Sequence, residues 1–193
     1  MRFAWLCLVG VVGCGDDGGP GPDLRVSLVV PITSTNGTNP SFLSKYVGGS
    51  IAIEIVMDPA SIVQDTSASC GETTAYTSDA GRTATGANAA DVTTDLLDKL
   101  PAWALTHEVC DDASTSSVSL VGTINELNLS FGCGAIPASA QVRGADGFPR
   151  IDSFTATRCN AIILDVVNAY SLGNADAAMT DFPMTIVTGR SLP

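Results

Sequence analysis

Hydrophobic and polar positions alternate along much of the chain with a period of two, the spacing typical of half-buried β-strands. The most regular example places Ile51, Ile53, Ile55 and Met57 on one face and ends at an Asp-Pro pair. Further strand-like runs lie at residues 24–32, 118–123, 127–131, 139–143, 151–157 and 183–188. We therefore predict an all-β or β-rich domain, built as a disulfide-stabilised β-sandwich with Greek-key-like connections. A mixed α+β fold is the alternative.

Three stretches depart from this alternation. Residues 91–105 place leucines at helical spacing after several aspartates, which predicts one short peripheral helix that Pro101 ends or kinks. Residues 66–90 consist chiefly of Ser, Thr, Gly and Ala, and we predict a long loop there. Residues 160–170 fit either a helical face or a strand, and their β-branched residues favour the strand.

The N-terminus has the pattern of an export signal. Arg2 precedes an apolar run of eleven residues from Phe3 to Gly13, and a positive charge before a short hydrophobic segment is typical of secretory signals. A transmembrane helix needs about twenty apolar residues, so this run is too short for a permanent membrane span. The run ends in Val-Val-Gly before Cys14, which resembles the lipobox of bacterial lipoproteins. The alternative is an ordinary cleaved signal that happens to contain a cysteine.

The resemblance covers only this signal segment, and it implies that residues 1–13 are removed and that Cys14 carries the lipid. Each buried acyl methylene contributes about 0.8 kcal/mol, so two or three chains suffice to hold the protein on a membrane. Residues 14–23 are rich in Gly, Pro and Asp and are predicted to form a flexible tether. Residues 24–193 then form a single β-rich domain. Gly15 stands where an aspartate would favour the inner membrane, so the outer membrane of a bacterial cell envelope is expected.

The charge balance restricts the possible partners. Nine basic residues stand against twenty acidic ones, which gives a net charge of -11. The basic residues are spread along the chain, whereas a phosphate-binding surface requires clustered Lys and Arg. Nucleic acid is therefore disfavoured as a partner. The membrane, reached through the lipid anchor, is the expected partner, and a protein or envelope ligand of unknown identity is left open.

Four cysteines remain in the domain, Cys70, Cys110, Cys133 and Cys159. An even number in an oxidising compartment indicates two disulfides, and three pairings are open. Our interpretation joins Cys70 to Cys110 and Cys133 to Cys159, because sequential bridges each enclose one local unit. Structural zinc sites favour ligand pairs two to four residues apart, whereas 39, 22 and 25 residues separate these cysteines. A zinc site is therefore disfavoured.

Motifs of common enzymes and cofactor sites are missing from the sequence: Gly-x-Ser-x-Gly, His-Glu-x-x-His, the phosphate-binding glycine loop and the EF-hand. His107 is the only histidine, and we interpret it as a surface or satisfied structural residue rather than a general base. Two acidic groups are candidates for calcium, namely Glu108 with Asp111 and Asp112, and Asn174 with Asp176 and Asp181. Neither has a recognisable ligand spacing, so no metal, cofactor or catalytic residue is assigned.

The sequence therefore favours a membrane-anchored, non-enzymatic binding or structural module of the envelope. One alternative is an extracytoplasmic hydrolase that uses carboxylates or a serine on an unfamiliar template. The other is a carrier of a small apolar ligand, which requires a closed apolar cavity. A deep pocket with titratable groups would favour the hydrolase.

Overall fold

A computed structural model describes residues 23–32, 46, 48–66, 69–124, 127–134, 136–164, 169–172 and 182–193. These ranges contain nine β-strands and one short α-helix. The strands are β1 (Leu24–Ile32), β2 (Gly49–Thr66), β3 (Cys70–Thr85), β4 (Ala102–Cys110), β5 (Ser117–Ile124), β6 (Leu127–Cys133), β7 (Phe154–Leu164), β8 (Ala169–Leu172) and β9 (Phe182–Thr188). The helix α1 (Ala89–Val92) continues as a π-helical turn (Thr93–Leu97), and 3₁₀ turns lie at Ala113–Thr115 and Ala138–Ala140.

Eight of the strands close into an antiparallel barrel. Strands β1 to β7 pair in chain order, and β9 lies between β7 and β1. Ile186 of β9 is aligned with Val26 on one side and with Phe154 on the other, while the short β8 pairs with the far part of β7. The β-rich prediction is confirmed. The sandwich prediction is wrong, because the β6–β7 pairing joins the two ends of the sheet into one closed layer.

Side chains alternate along the strands between the barrel interior and the solvent. In β1 every second residue from Leu24 to Ile32 is buried, and the residues between them are more exposed. An eight-stranded barrel encloses a space just wide enough for side chains to fill. Large apolar groups of the other strands occupy it, including Ile51, Ile53, Ile55, Trp103, Leu105, Leu120, Phe131, Phe182 and Met184. Burial of each such side chain stabilises the fold by roughly 1.5–3 kcal/mol.

One end of the barrel, where β1 finishes, is covered by α1 and the π-helical turn, and we call it the helix end. Val92, Leu96 and Leu97 are buried in the core. The hydroxyl of Tyr46, which lies between β1 and β2, donates a hydrogen bond to the carboxylate of Asp95 at 3.1 Å. This bond links the π-helical turn to the β1–β2 connection. Within the described ranges, no helix combines the length and apolar character that crossing a membrane requires.

The opposite end, where β1 begins, is closed by the connection between β6 and β7. We call it the disulfide end, and we call residues 136–153 the cover. Ile136, Ala140 and Ile151 of the cover are buried in the core. Ile151 also exchanges two backbone hydrogen bonds of 3.1 Å with Leu192, so the last residues of the chain hold one side of the cover.

Most of residues 66–90, predicted as a loop, forms the strand β3. Its inward positions at the disulfide end are small: Gly71, Thr73 and Ala75 are all buried. At Gly71 the cover approaches so closely that a Cβ atom would lie 2.9 Å from the carbonyl oxygen of Gly147. Small inward residues produce no alternation of hydropathy, and the strand was therefore missed.

The predicted helix over residues 91–105 is wrong beyond Leu97. The helical turns end before Pro101, and β4 starts at Ala102. Trp103 and the inward residues that follow are spaced two apart, which is the period of a strand. The leucines before Pro101 lie on the helical turns. The hydrophobic residues of these turns and of β4 together resembled the spacing of a single helix, although they belong to two different elements.

Three other strand predictions need adjustment. Residues 139–143 form no strand, because Ala138–Ala140 is a 3₁₀ turn. The strand expected at residues 151–157 begins at Phe154 and is longer than predicted. For residues 160–170 the strand interpretation agrees with β7 and β8, and residues 165–168 lie outside the described residues.

Candidate functional site

The four domain cysteines form two disulfides with the predicted pairing. Cys70 and Cys110 are directly opposite each other on β3 and β4, with Cα atoms 4.0 Å apart. Cys133 and Cys159 are opposite each other on β6 and β7, with Cα atoms 4.1 Å apart. Both bonds lie at the disulfide end, so each joins two wall strands where the barrel meets the cover.

The two disulfides lie on different faces of the barrel wall. Cys70 and Cys110 alternate with inward residues and therefore face outward, and Cys70 is partly exposed. Cys133 follows the inward residues of β6, and it and Cys159 are 1% and 0% exposed. We call Cys70–Cys110 the outer disulfide and Cys133–Cys159 the inner disulfide.

His107 lies inside the barrel, one inward position before the end of β4. Its neighbours on the adjacent strands are Thr73 and Val118, and its own side chain is fully buried. The sequence offers a signal for this position, because Trp103, Leu105, His107 and Val109 share one face of β4. The surface interpretation of His107 is therefore wrong, whereas a buried structural residue agrees with this position.

The imidazole ring of His107 has few polar contacts. Its centroid lies 5.4 Å from that of Phe154, and neither ring nitrogen has a hydrogen-bond partner of good geometry among the described residues. Desolvation lowers the pKa of His107 to about 4, although the nearby backbones of Arg150 and Ala140 and the Asp152 carboxylate act in the opposite direction. The ring is therefore neutral at pH 7.

The cover is fastened to the corner formed by β3 and β4. The buried hydroxyl of Thr73 donates to the carbonyl oxygen of Pro149 at 2.8 Å. The guanidinium of Arg143 donates to the carbonyl oxygens of Ser69 and Val109 at 3.1 and 2.7 Å. It also forms an ion pair with Asp111 at 3.2 Å. The cover is thus held beside the outer disulfide and directly above His107.

Glu108, Asp111 and Asp112, the first group of calcium candidates, each interact with a different neighbouring residue. Glu108 accepts a hydrogen bond from the Ser117 hydroxyl at 3.4 Å, and Asp111 pairs with Arg143. Asp112 accepts hydrogen bonds from the backbone and side chain of Ser114, and these bonds lower the pKa of Asp112. The three carboxylates therefore cap turns or pair with neighbours. The second group, Asn174, Asp176 and Asp181, lies outside the described residues.

A different set of potential metal ligands lies around the outer disulfide. The sulfur atoms of Cys70 and Cys110 and a carboxylate oxygen of Glu108 all lie within 4.8 Å of one another. The two sulfur atoms are bonded to each other in the disulfide. Cysteine binds metals as the thiolate, which the disulfide does not provide. In the oxidised protein this group is a disulfide beside a carboxylate.

A shallow groove of about 190 Å³ lies on the outer wall across β9, β1 and β2. Its lining combines apolar and polar side chains, among them Ser27, Val29, Ala52, Glu54, Thr85 and Pro183. Val29 in its middle is 51% exposed. We call this surface the outer-wall groove.

Cys14, the predicted lipid attachment residue, lies outside the described residues. The first described strand begins only ten residues after it, at Leu24, which belongs to the disulfide end. No protein-family model, curated protein or solved structure matches this chain.

Proposed function

We propose that this chain is a lipoprotein of the bacterial cell envelope, anchored through Cys14, whose barrel is a non-enzymatic binding or structural module. The observation that carries the proposal is the apolar interior of the barrel: among the described residues, large apolar side chains crowd the interior, and the helical turns and the cover lie over its two ends. Such an arrangement leaves the outer surface for recognition. It favours surface contacts over enclosure of an apolar ligand.

The anchor and the barrel are close together in this proposal. Ten residues, 14–23, connect Cys14 to β1. A fully extended segment of this length spans at most about 36 Å, and a flexible one has a typical end-to-end distance of about 16–19 Å. Because Leu24 lies at the disulfide end, that end is the part of the barrel nearest to the membrane. The outer membrane, indicated by Gly15, is the proposed location.

The outer-wall groove is the proposed contact region of the module. Its lining exposes Val29, while the guanidinium of Arg25 beside it contacts Glu54 at 3.5 Å and Asp23 at 2.7 Å. Non-obligate protein interfaces combine apolar and polar groups in a similar way. The domain's acidity keeps the rest of the surface soluble and repels anionic surfaces.

Anchoring is tested with a matched pair of cysteine substitutions. Cys14→Ala removes the lipid attachment residue, whereas Cys7→Ala changes a cysteine inside the segment that is removed. We expect wild type and Cys7→Ala in the membrane fraction, with an intact mass equal to residues 14–193 plus acyl chains and lacking four hydrogens. Cys14→Ala should lack the acyl mass and leave the membrane. An unacylated wild-type mass would refute the anchor.

Surface recognition is tested with two valines of equal exposure. Val29 in the groove and Val63 on β2 are 51% and 52% exposed, so Val29→Lys and Val63→Lys have similar small effects on folding. Crosslinking of the anchored protein in intact cells should yield adducts of discrete mass that Val29→Lys abolishes and Val63→Lys retains. Adducts that both variants retain would place recognition elsewhere, and loss in both would indicate a general effect of surface charge.

A further inference from the structure

His107 is enclosed by two different kinds of structure. Three sides of the imidazole face wall strands: β3 at Thr73, β5 at Val118 and β7 at Phe154. The fourth side faces the cover, through the backbones of Ala140 and Arg150. Water can therefore reach the ring by displacement of the cover, with the wall left intact.

The cover is held far less extensively than the wall. Wall strands share continuous ladders, such as the nine aligned pairs between β1 and β2, and the two disulfides join them at this end. Among the described residues, isolated contacts hold the cover to the rest of the barrel: the Ile151–Leu192 bridge, two hydrogen bonds between Ser153 and Thr188, and the Thr73 and Arg143 contacts. Segments with few contacts open at lower free energy than the global unfolding of a protein.

Among the described residues, few charged groups lie near His107. The Asp152 carboxylate of the cover interacts with the ring. Glu72 and Glu108, which neighbour Thr73 and His107 along their strands, belong to the outward positions of β3 and β4. The side chains of Arg143 and Arg150 engage Asp111 and Asp146. Thr73, Val118 and Phe154, which face the ring from the three wall strands, do not titrate.

We infer that the cover is an acid-released element: protonation of the enclosed His107 ring opens the disulfide end by displacing residues 136–153 while the eight-stranded wall stays closed. Release exposes apolar surface, including Ile136, Ile151 and Phe154. In the anchored protein this surface would appear at the end nearest to the membrane.

The expected size follows from the two environments of the ring. In the closed state the pKa of His107 is about 4, and in water it returns to 6.5. Since the open state binds the proton more tightly, closure is fully favoured above pH 6.5 and is lost progressively as the pH falls towards 4. The opening equilibrium increases about 30-fold at pH 5 and about 300-fold well below pH 4.

Hydrogen exchange measured by mass spectrometry tests this inference on the oxidised domain. Exchange of residues 136–153 is compared between pH 7.5 and pH 5.0 after correction for the intrinsic pH dependence, with β1 (Leu24–Ile32) as the wall reference. In wild type the cover should open about 30-fold more often at pH 5.0, with no equal change in β1. His107→Phe keeps an aromatic ring without a proton site, and His107→Gln keeps a polar side chain. Both should lose the acid response.

The outcomes separate the mechanism from general acid instability. Equal acceleration of β1 and the cover would show global unfolding and overturn the inference. A wild-type cover whose protection changes less than threefold would overturn it as well. An acid response that survives in both variants would assign the effect to another group. Should His107→Phe fail to fold, His107→Gln and the wild-type comparison decide the question.

Discussion

The outer and inner disulfides should differ in their response to mild reduction under native conditions. Exchange requires an attacking thiolate to reach a sulfur atom. Cys70 is partly exposed on the outer wall, whereas Cys133 and Cys159 are 1% and 0% exposed inside the barrel. We therefore expect a dithiol reductant to open the outer disulfide first, with the inner one protected until the wall itself opens.

The stability lost with each bond follows from the length of chain that it closes. The outer disulfide joins residues 40 positions apart and the inner one residues 26 apart. In the chain-entropy model these loops correspond to about 3.9 and about 3.5 kcal/mol. After reduction of the outer bond, the β3–β4 corner keeps the backbone bond from Asp111 to Ser69 at 2.9 Å and the Arg143 contacts. The partly reduced barrel should therefore remain folded.

The assay is a time course in dithiothreitol at neutral pH, with alkylation, peptide mapping by mass spectrometry and denaturant unfolding of each species. Two double variants serve as references: Cys70→Ala with Cys110→Ala, and Cys133→Ala with Cys159→Ala. Each should lose stability close to the values above, and the first should match the partly reduced wild type. Inner cysteines that are alkylated as fast as the outer ones would refute the assignment of faces.

Three further changes test the packing. Gly122→Ala should lower the free energy of unfolding by about 1–3 kcal/mol, because its Cβ would lie 2.8 Å from the Trp103 ring; unchanged denaturant unfolding would contradict this close contact. Thr73→Val should cost about 1–3 kcal/mol and increase proteolysis of the cover, since it leaves the buried Pro149 carbonyl without its donor; unaltered cover protection would show that this bond is dispensable. Leu28→Ala should cost about 2–5 kcal/mol in thermal or denaturant unfolding, and a loss below 1 kcal/mol would contradict its interior position.

Strands with large inward side chains could be predicted from the sequence. The inward positions of β1 and the isoleucines of β2 carry a strong period of two, and β5, β6 and β9 were located within a few residues. The disulfide pairing was also correct, because each bond joins neighbouring strands and so encloses a local unit. Both features depend on residues that are close together in the sequence, so the pattern of hydrophobic positions and the cysteine spacing are enough to predict them.

Closure and the small-residue strand could not be predicted in the same way. Whether the sheet closes on itself or packs as two separate layers depends on β9, which pairs with β7 and also with β1 near the other end of the sequence. Alternation gives no signal for such long-range pairing. The inward Gly71 and Thr73 lie directly against the cover, which leaves no room there for large side chains. Their environment comes from a segment more than sixty residues away in the chain.

The position of His107 illustrates the same limit. His107 shares the face of Trp103, Leu105 and Val109, so its inward orientation follows once β4 is known to be a strand. The helical spacing of the leucines before Pro101 led to the prediction of a helix there instead. The absence of a well-formed hydrogen bond depends on how the cover passes over the ring. The sequence therefore contained the residue of interest, and only the tertiary structure gave its environment.

The place of β9 in the ladder has a consequence for biogenesis. In a chain that is exported from its N-terminus, β1 to β7 emerge before residues 182–188. Until β9 is available, the edges of β1 and β7 that it joins are unpaired. Exposed edges template pairing with other chains, and contacts between distant parts of the sequence form slowly. For the exported protein proposed above, the speed of translocation and protection of the emerging sheet should therefore affect the yield of native protein.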